Sequence, residues 1–230
     1  MAEKLDTPAK RRYHAPRRTA AAAATRQAIV RAAKEEFEAR GWMATTVRSV
    51  AASAGVSPKT VEALFGTKPA LLEATLLAAL GGDEMDTDTA DRRSLRPEAV
   101  LEMRGEAARE IEESPDAATM LDVHAALATK VSRRAARLCW AVETAISCDE
   151  RLAEISARLN DVLRFGAGWS ADVLLRKPGV RADLTRQEAE EAFLVAIDWN
   201  TYRTLVTKGD MGPEEVQGWI RRYYRYMLLA

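Results

Sequence analysis

The sequence predicts an all-α protein of nine or ten helices, on three observations. Apolar residues recur at spacings of three and four along nearly the whole chain. Serine, threonine or aspartate, often with proline, opens these stripes, and glycine or proline closes them. From Asp116 onward the chain is nearly continuous helix former. Residues 20–68 read as a compact three-helix head, residues 69–230 as a longer helical body, and residues 1–19 as a basic arm without an apolar stripe.

In the head, Ile29, Ala33 and Phe37 form the first stripe, which Gly41 ends; Ala20 to Ala24 extend the helix toward its start, alanine being the best helix former. Thr46 is an N-cap candidate for a second helix carrying Val47, Val50, Ala51 and Ala54, because its hydroxyl accepts from a first-turn amide. Gly55 stops that helix and Val56 turns the chain inward. Ser57 and Pro58 restart it at once, as cap and first residue. Val61, Leu64 and Phe65 then make the inner face of a short third helix. Lys68 and Pro69 open a fourth, with Leu72, Leu76 and Leu80 on one side.

In the body, Gly81 to Arg93 reads as an exposed loop. One helix is expected from Pro97 to about Glu113, and a new start at Ser114, Pro115 and Asp116. Met120, His124, Leu127 and Val131 form one stripe, and Leu138, Val142 and Ala145 the next. A long helix follows through Leu152, Ile155, Leu159, Val162, Phe165 or Gly166, Trp169 and Val173, ending at Lys177, Pro178 and Gly179. Thr185 and Glu188 form a capping box for a single helix reaching Val206. After a turn at 209–213, the last helix carries Val216, Trp219, Ile220, Tyr223 and Met227.

Length and composition fit a globular chain with a sizeable core: 230 residues, 47% hydrophobic and 30% charged. The net charge is zero, yet residues 1–68 hold 13 Lys and Arg against 6 Asp and Glu, and residues 69–230 hold 21 against 28. A basic head on an acidic body is an electrostatic footprint confined to the head. Cys139 and Cys148 are too few and too far apart for a zinc site or a redox pair. No apolar run is long enough to span a membrane, and the first residues lack the apolar centre of a signal peptide; a cytoplasmic protein without membrane partners is expected.

Two short helices joined by a glycine-containing turn are the helix-turn-helix, whose second helix enters the DNA major groove; a plain packing hairpin has the same spacing. The flanks decide between them. From Thr25 to Leu80, through Gly41-Trp42, Thr45-Thr46, VRSVAASAGVS, Thr60-Val61, Phe65, Gly66-Thr67-Lys68 and ALLEA, the chain resembles the TetR-type bacterial transcriptional regulators. It departs from their pattern at Glu62, where a tyrosine that touches a DNA phosphate is usual, and at Leu64, where histidine is frequent. A carboxylate cannot make that phosphate contact favourably.

The resemblance implies a dimeric repressor on an inverted-repeat operator of double-stranded DNA, released by a small molecule in the body. Ser57, Pro58 and Lys59, exposed at the start of the third helix, are expected to read bases, with Thr60 on base or phosphate. Thr46, Arg48 and Lys68 are expected to hold phosphates. The basic arm has an even choice between DNA and solvent. Wide apolar and aromatic coverage in the last two helices points to a homodimer interface through Phe193, Ile197, Val216, Trp219, Ile220, Tyr223 and Met227.

His124 interrupts an apolar stripe, which fits either a core histidine with protein partners or a polar group lining a cavity for a hydrophobic ligand. Further wall candidates are Met103, Arg104, Met120, Trp140, Glu143, Phe165 and Trp169, each equally readable as packing. Catalytic motifs, phosphate-binding glycine loops and metal-ligand spacings are lacking, so neither enzyme, metal nor cofactor is expected. The alternative is a helical dimeric adaptor or ligand-binding protein with a vestigial DNA-binding head.

Overall fold

The computed structural model describes residues 15–81 and 95–230; most of the basic arm and of the loop after the fourth helix lie outside them. Among the described residues there are eleven α-helices, one 3-10 turn (Ile146–Cys148) and no strand beyond an isolated bridge between Val180 and Leu229. In chain order they are α1 (Ala15–Ala44), α2 (Val47–Ser53), α3 (Pro58–Phe65), α4 (Lys68–Gly81), α5 (Pro97–Met103), α6 (Gly105–Glu113), α7 (Ala117–Glu143), α8 (Glu150–Leu174), α9 (Arg186–Ile197), α10 (Trp199–Thr207) and α11 (Pro213–Leu228). The all-α fold with a helical head and body is the one expected. No single helix among the described residues is long and apolar enough to cross a membrane.

The helix count exceeds the expected nine or ten because two stretches read as single helices are broken. Pro97 to Glu113 divides at Arg104 and Gly105, where Gly105 has φ +34°, a value that costs a side chain dearly and a glycine little. Thr185 to Val206 divides at Asp198, whose extended backbone ends α9 while its carboxylate accepts from the amides of Asn200 (2.7 Å) and Thr201 (3.2 Å) to start α10. Aspartate bonds its own following backbone in competition with the helix, and here that competition prevails.

Two apolar clusters fill the interior. The first runs from the head into the body: Ile29, Phe37 and Trp42 of α1, Val50, Val61 and Phe65 of α2 and α3, Leu72, Leu76 and Leu80 of α4, then Val131 to Val142 of α7, Leu152 to Leu163 of α8 and Trp199. The second joins the start of α7 (Met120, Leu121) to the end of α8 and to Phe193, Val216, Ile220 and Tyr224 of α9 and α11. The long helices α7 and α8 thus serve both clusters, one at each end. Side-chain bonds pin α4 against them: Arg134 Nε donates to the Ala79 carbonyl (2.9 Å), and Arg158 pairs with Glu73 (3.1 Å).

Burial corrects part of the expected dimer interface. Phe193 and Val216 have no exposed surface and Ile220 only 3%, all within one chain. These three are intramolecular core with nothing left to give a second copy. Ile197, Trp219, Tyr223 and Met227 keep some surface, and Val195 (46% exposed) and Tyr226 (88%) lie on the same two helices. The apolar stripe had been too wide because it served two faces at once.

Candidate nucleic-acid interface and body cavities

The head is built by local capping. Thr46 accepts from the Ser49 amide (3.0 Å) while Ser49 Oγ accepts from the Thr46 amide (3.1 Å), a reciprocal box that fixes the start of α2. Gly55, at φ +67°, lets the chain leave α2, and the Val56 amide reaches back to the Ala51 carbonyl (2.9 Å). Ser57 Oγ then accepts from the Thr60 amide (3.1 Å) and meets the Thr60 hydroxyl at 2.8 Å, so α3 begins at Pro58. Val61 and Phe65 are buried beneath α3, which turns Ser57, Pro58, Lys59, Glu62 and Ala63 outward.

The outward face of α3 borders an open groove of about 620 Å³ lined by Ala21, Ala22 and Thr25 of α1 with Ser57, Lys59, Thr60, Ala63 and Leu64. Arg48 is exposed on α2. The expected reading residues therefore share one exposed helix start. Thr46 and Thr60 are engaged in these caps through both their hydroxyls and their backbone amides.

Lys68 differs from expectation in its surroundings. Its ammonium donates to the Trp42 carbonyl and lies 4.0 Å from the centre of the Trp42 ring; burial lowers its pKa. It fastens α4 to the end of α1, and any phosphate contact competes with that attachment. Arg26, which sequence reading passed over, does similar work: it is 5% exposed, donates to the Leu64 carbonyl at the end of α3 (3.2 Å) and stacks 4.3 Å over Phe65. The available signal was its phase, three residues before Ile29 on the buried stripe.

In the body, His124 is 4% exposed and fully partnered by protein. Ser170 Oγ donates to the Gly166 carbonyl (2.8 Å), so it accepts from His124 Nε2 (3.1 Å); Nδ1 is then the acceptor for the Tyr224 hydroxyl (2.9 Å). This chain needs a neutral imidazole. Burial, with the neighbouring Arg104 charge, lowers the His124 pKa to about 3. Phe193 packs 4.7 Å from the ring centre and completes an aromatic group with Tyr224. His124 is thus a core residue tying α7, α8 and α11 together, and the ligand-facing expectation is corrected.

The other wall candidates do not converge. Arg104 joins His124 in a cavity of about 20 Å³, large enough for a water and no more. Met120 is fully buried in the second cluster, Met103 packs on the first, Trp169 packs on the second, and Phe165 is 37% exposed at the surface. Glu143 receives the Asn200 amide at 3.4 Å. Trp140 lines a separate cleft of about 410 Å³ between α1, α7 and α10, with Phe37, Arg137, Tyr202 and Val206; Arg203 stacks on its ring at 3.7 Å. No group of three or more His, Cys, Asp or Glu among the described residues is placed to hold a metal.

Residues 29–75 match the family model described as bacterial regulatory proteins, tetR family. No curated protein matches the sequence. Solved structures share the fold: a protein from Mesorhizobium loti assigned to the TetR family (TM-score 0.63, 13% identity, 91% of this chain and 98% of that one); NalD of Pseudomonas aeruginosa, the secondary repressor of the MexAB-OprM multidrug efflux pump (0.61, 19%, 91% and 98%); and a TetR transcription regulator from Haloarcula marismortui (0.57, 16%, 89% and 98%). The head thus matches the tetR family model over residues 29–75, and head and body together share the fold of solved TetR-family structures.

Proposed function

We propose that this protein is a sequence-specific transcriptional repressor that binds an inverted-repeat operator as a homodimer and is released by a small molecule held in the body. The observation that carries the reading is the start of α3: Ser57, Pro58 and Lys59 stand exposed on a helix whose opposite face is locked into the core. A recognition helix presents its first turn to base edges, while neighbours such as Arg48 hold phosphates and set register. Residues 20–68 supply the DNA-binding head and residues 69–230 the regulatory and dimerising body.

The inverted repeat follows from the two-fold symmetry of a dimer, supported by the surface that Trp219, Tyr223, Tyr226 and Met227 retain on α11. The repressor sense draws on NalD, a repressor of similar fold. A ligand acts by binding more tightly to the dimer whose heads are wrongly spaced for successive major grooves. Selection of bound duplexes from a random pool tests the reading: an inverted repeat is expected, with log K falling against log salt by roughly 0.9 per neutralised phosphate. Binding that ignores salt, or selects nothing, overturns it.

A further inference from the structure

We propose that the cleft between α1, α7 and α10 is a ligand site for a planar aromatic acid, and that its occupancy bears on the placement of the head. The proposal deepens the reading of the chain as a ligand-released regulator, on which its consequence for DNA rests, by naming the site and the chemical class it takes.

The cleft holds about 410 Å³, within the range of roughly 300–1,000 Å³ that small-molecule sites occupy. Phe37, Ala136 and Ala141 are buried and form its inner surface. Tyr202 and Val206 of α10 stand half-buried along it. Trp140 is 41% exposed, and the Arg203 guanidinium lies 3.7 Å from its ring centre. An exposed indole is ordinary on a convex surface. Inside a concavity shared with Phe37 and Tyr202, it is area that a flat apolar body removes from water.

Charge selects the polar end of that body. Of the charged side chains in the wall, Glu38 is already paired with Lys34 at 2.8 Å, whereas Arg137 and Arg203 have no carboxylate partner among the described residues. Burial raises the pKa of Tyr202, while the charges of Arg133 and Arg137 act on its hydroxyl in the opposite sense, so a positive field reaches into the cleft. A cation meets repulsion here, and a neutral molecule leaves both guanidinium groups unused. A carboxylate is met by planar forks suited to its two oxygens.

The position couples such a molecule to the head. Gly41, also in the wall, has φ +68° and ψ −176°, a non-helical point just before the chain turns into α2. Phe37 stacks on Trp42 (6.0 Å), whose carbonyl receives the Lys68 ammonium at the start of α4. A molecule seated against Phe37 and Gly41 therefore bears on the joint between α1, α2 and α4, and favours the setting of the head that leaves the cleft open to it.

The test uses the full chain, with naphthalene-2-carboxylate and anthracene-2-carboxylate against their primary amides and against octanoate, read by calorimetric titration and melting temperature. At least one aromatic acid is expected to bind and to raise the melting temperature in a dose-dependent way, with its amide and octanoate about tenfold weaker or more. Arg203→Met and Arg137→Met are each expected to weaken that acid by about tenfold or more, the loss of a charge-assisted bond. Thr144→Trp, which fills the cleft from an exposed position, is expected to abolish binding while circular dichroism and sedimentation stay unchanged. No binding by either acid, equal binding of the amides or octanoate, or unchanged affinity in any of the three variants overturns the proposal. So does a shift to monomers in Arg137→Met or Thr144→Trp, which would make the cleft a subunit contact. The bound acid is expected to lower the duplex affinity of the wild type and not of Thr144→Trp; a bound acid that leaves it unchanged overturns the link to the head. Absence of duplex binding by the ligand-free protein instead defeats the repressor reading and leaves the acid-binding result standing.

Discussion

Tyr224 donates its hydroxyl to Nδ1 of His124 across 2.9 Å, joining residues one hundred positions apart. Both are buried, so neither has water as a substitute partner. Tyr224→Phe is expected to lower stability by about 1–3 kcal/mol, the cost of an unsatisfied buried acceptor. His124→Leu strands the Tyr224 hydroxyl, while Ser170 keeps its bond to the Gly166 carbonyl, and is expected to cost a similar amount. Denaturant unfolding with unchanged slope checks this; an unaffected midpoint in both variants would show that the bonds contribute nothing net.

The same histidine makes the fold acid-sensitive. Its pKa falls from 6.5 to about 3 on folding, so between these values the unfolded chain takes a proton that the folded chain refuses. Stability is fully present above pH 6.5 and declines as pH falls toward 3, by up to about 1.4 kcal/mol per unit from this group. His124→Leu is expected to remove that component of the slope, which melting curves at stepped pH will reveal as a flatter profile.

Two lysines of the head separate recognition from support. Lys59→Ala, at an exposed position, is expected to weaken operator binding without moving the melting temperature. Lys68→Ala is expected to do both, losing roughly 0.5–1 kcal/mol from its contact with the Trp42 ring as well as flattening the salt slope by about one phosphate per head. Unchanged stability in the second variant would mean that the Trp42 contact is idle.

The last helix divides in the same manner. Tyr226→Glu places a charge on a residue 88% exposed in the single chain and is expected to give folded monomers with reduced operator affinity, because two linked heads act at high effective concentration. Val216→Glu places one in the core and is expected to unfold the body. Sedimentation paired with circular dichroism distinguishes them, and a dimer that survives Tyr226→Glu would move the interface off this face.

What the sequence discloses is what its local signals encode. Thr46, Gly55, Ser57 and Pro58 act on amides within four residues, so the two capped helices and their turn were legible from spacing, while the flanking pattern was needed to tell a helix-turn-helix from a packing hairpin. The partners of His124 lie 46 and 100 positions away, and an apolar stripe looks the same whether α7 or a second chain covers it. For that reason the sequence left the histidine open between core and ligand cavity, and placed Phe193, Val216 and Ile220 at an interface. The helix breaks at Arg104 and Asp198 were missed because a capping aspartate and a single glycine also occur within longer helical runs.

The apolar cluster that passes from Ile29 through Leu76 to Val142 is expected to make head and body melt as one cooperative unit. A fragment ending at residue 68 would expose Ile29, Phe37 and Phe65 where α4 and α7 had covered them, and is expected to be unfolded in isolation. A single calorimetric transition for the whole chain, with no early loss of the head in hydrogen exchange, is the corresponding expectation. Evolution of a new operator specificity in such a protein is then confined to the outward positions of α3, since every inward change is felt in the helices α4 and α7 of the body.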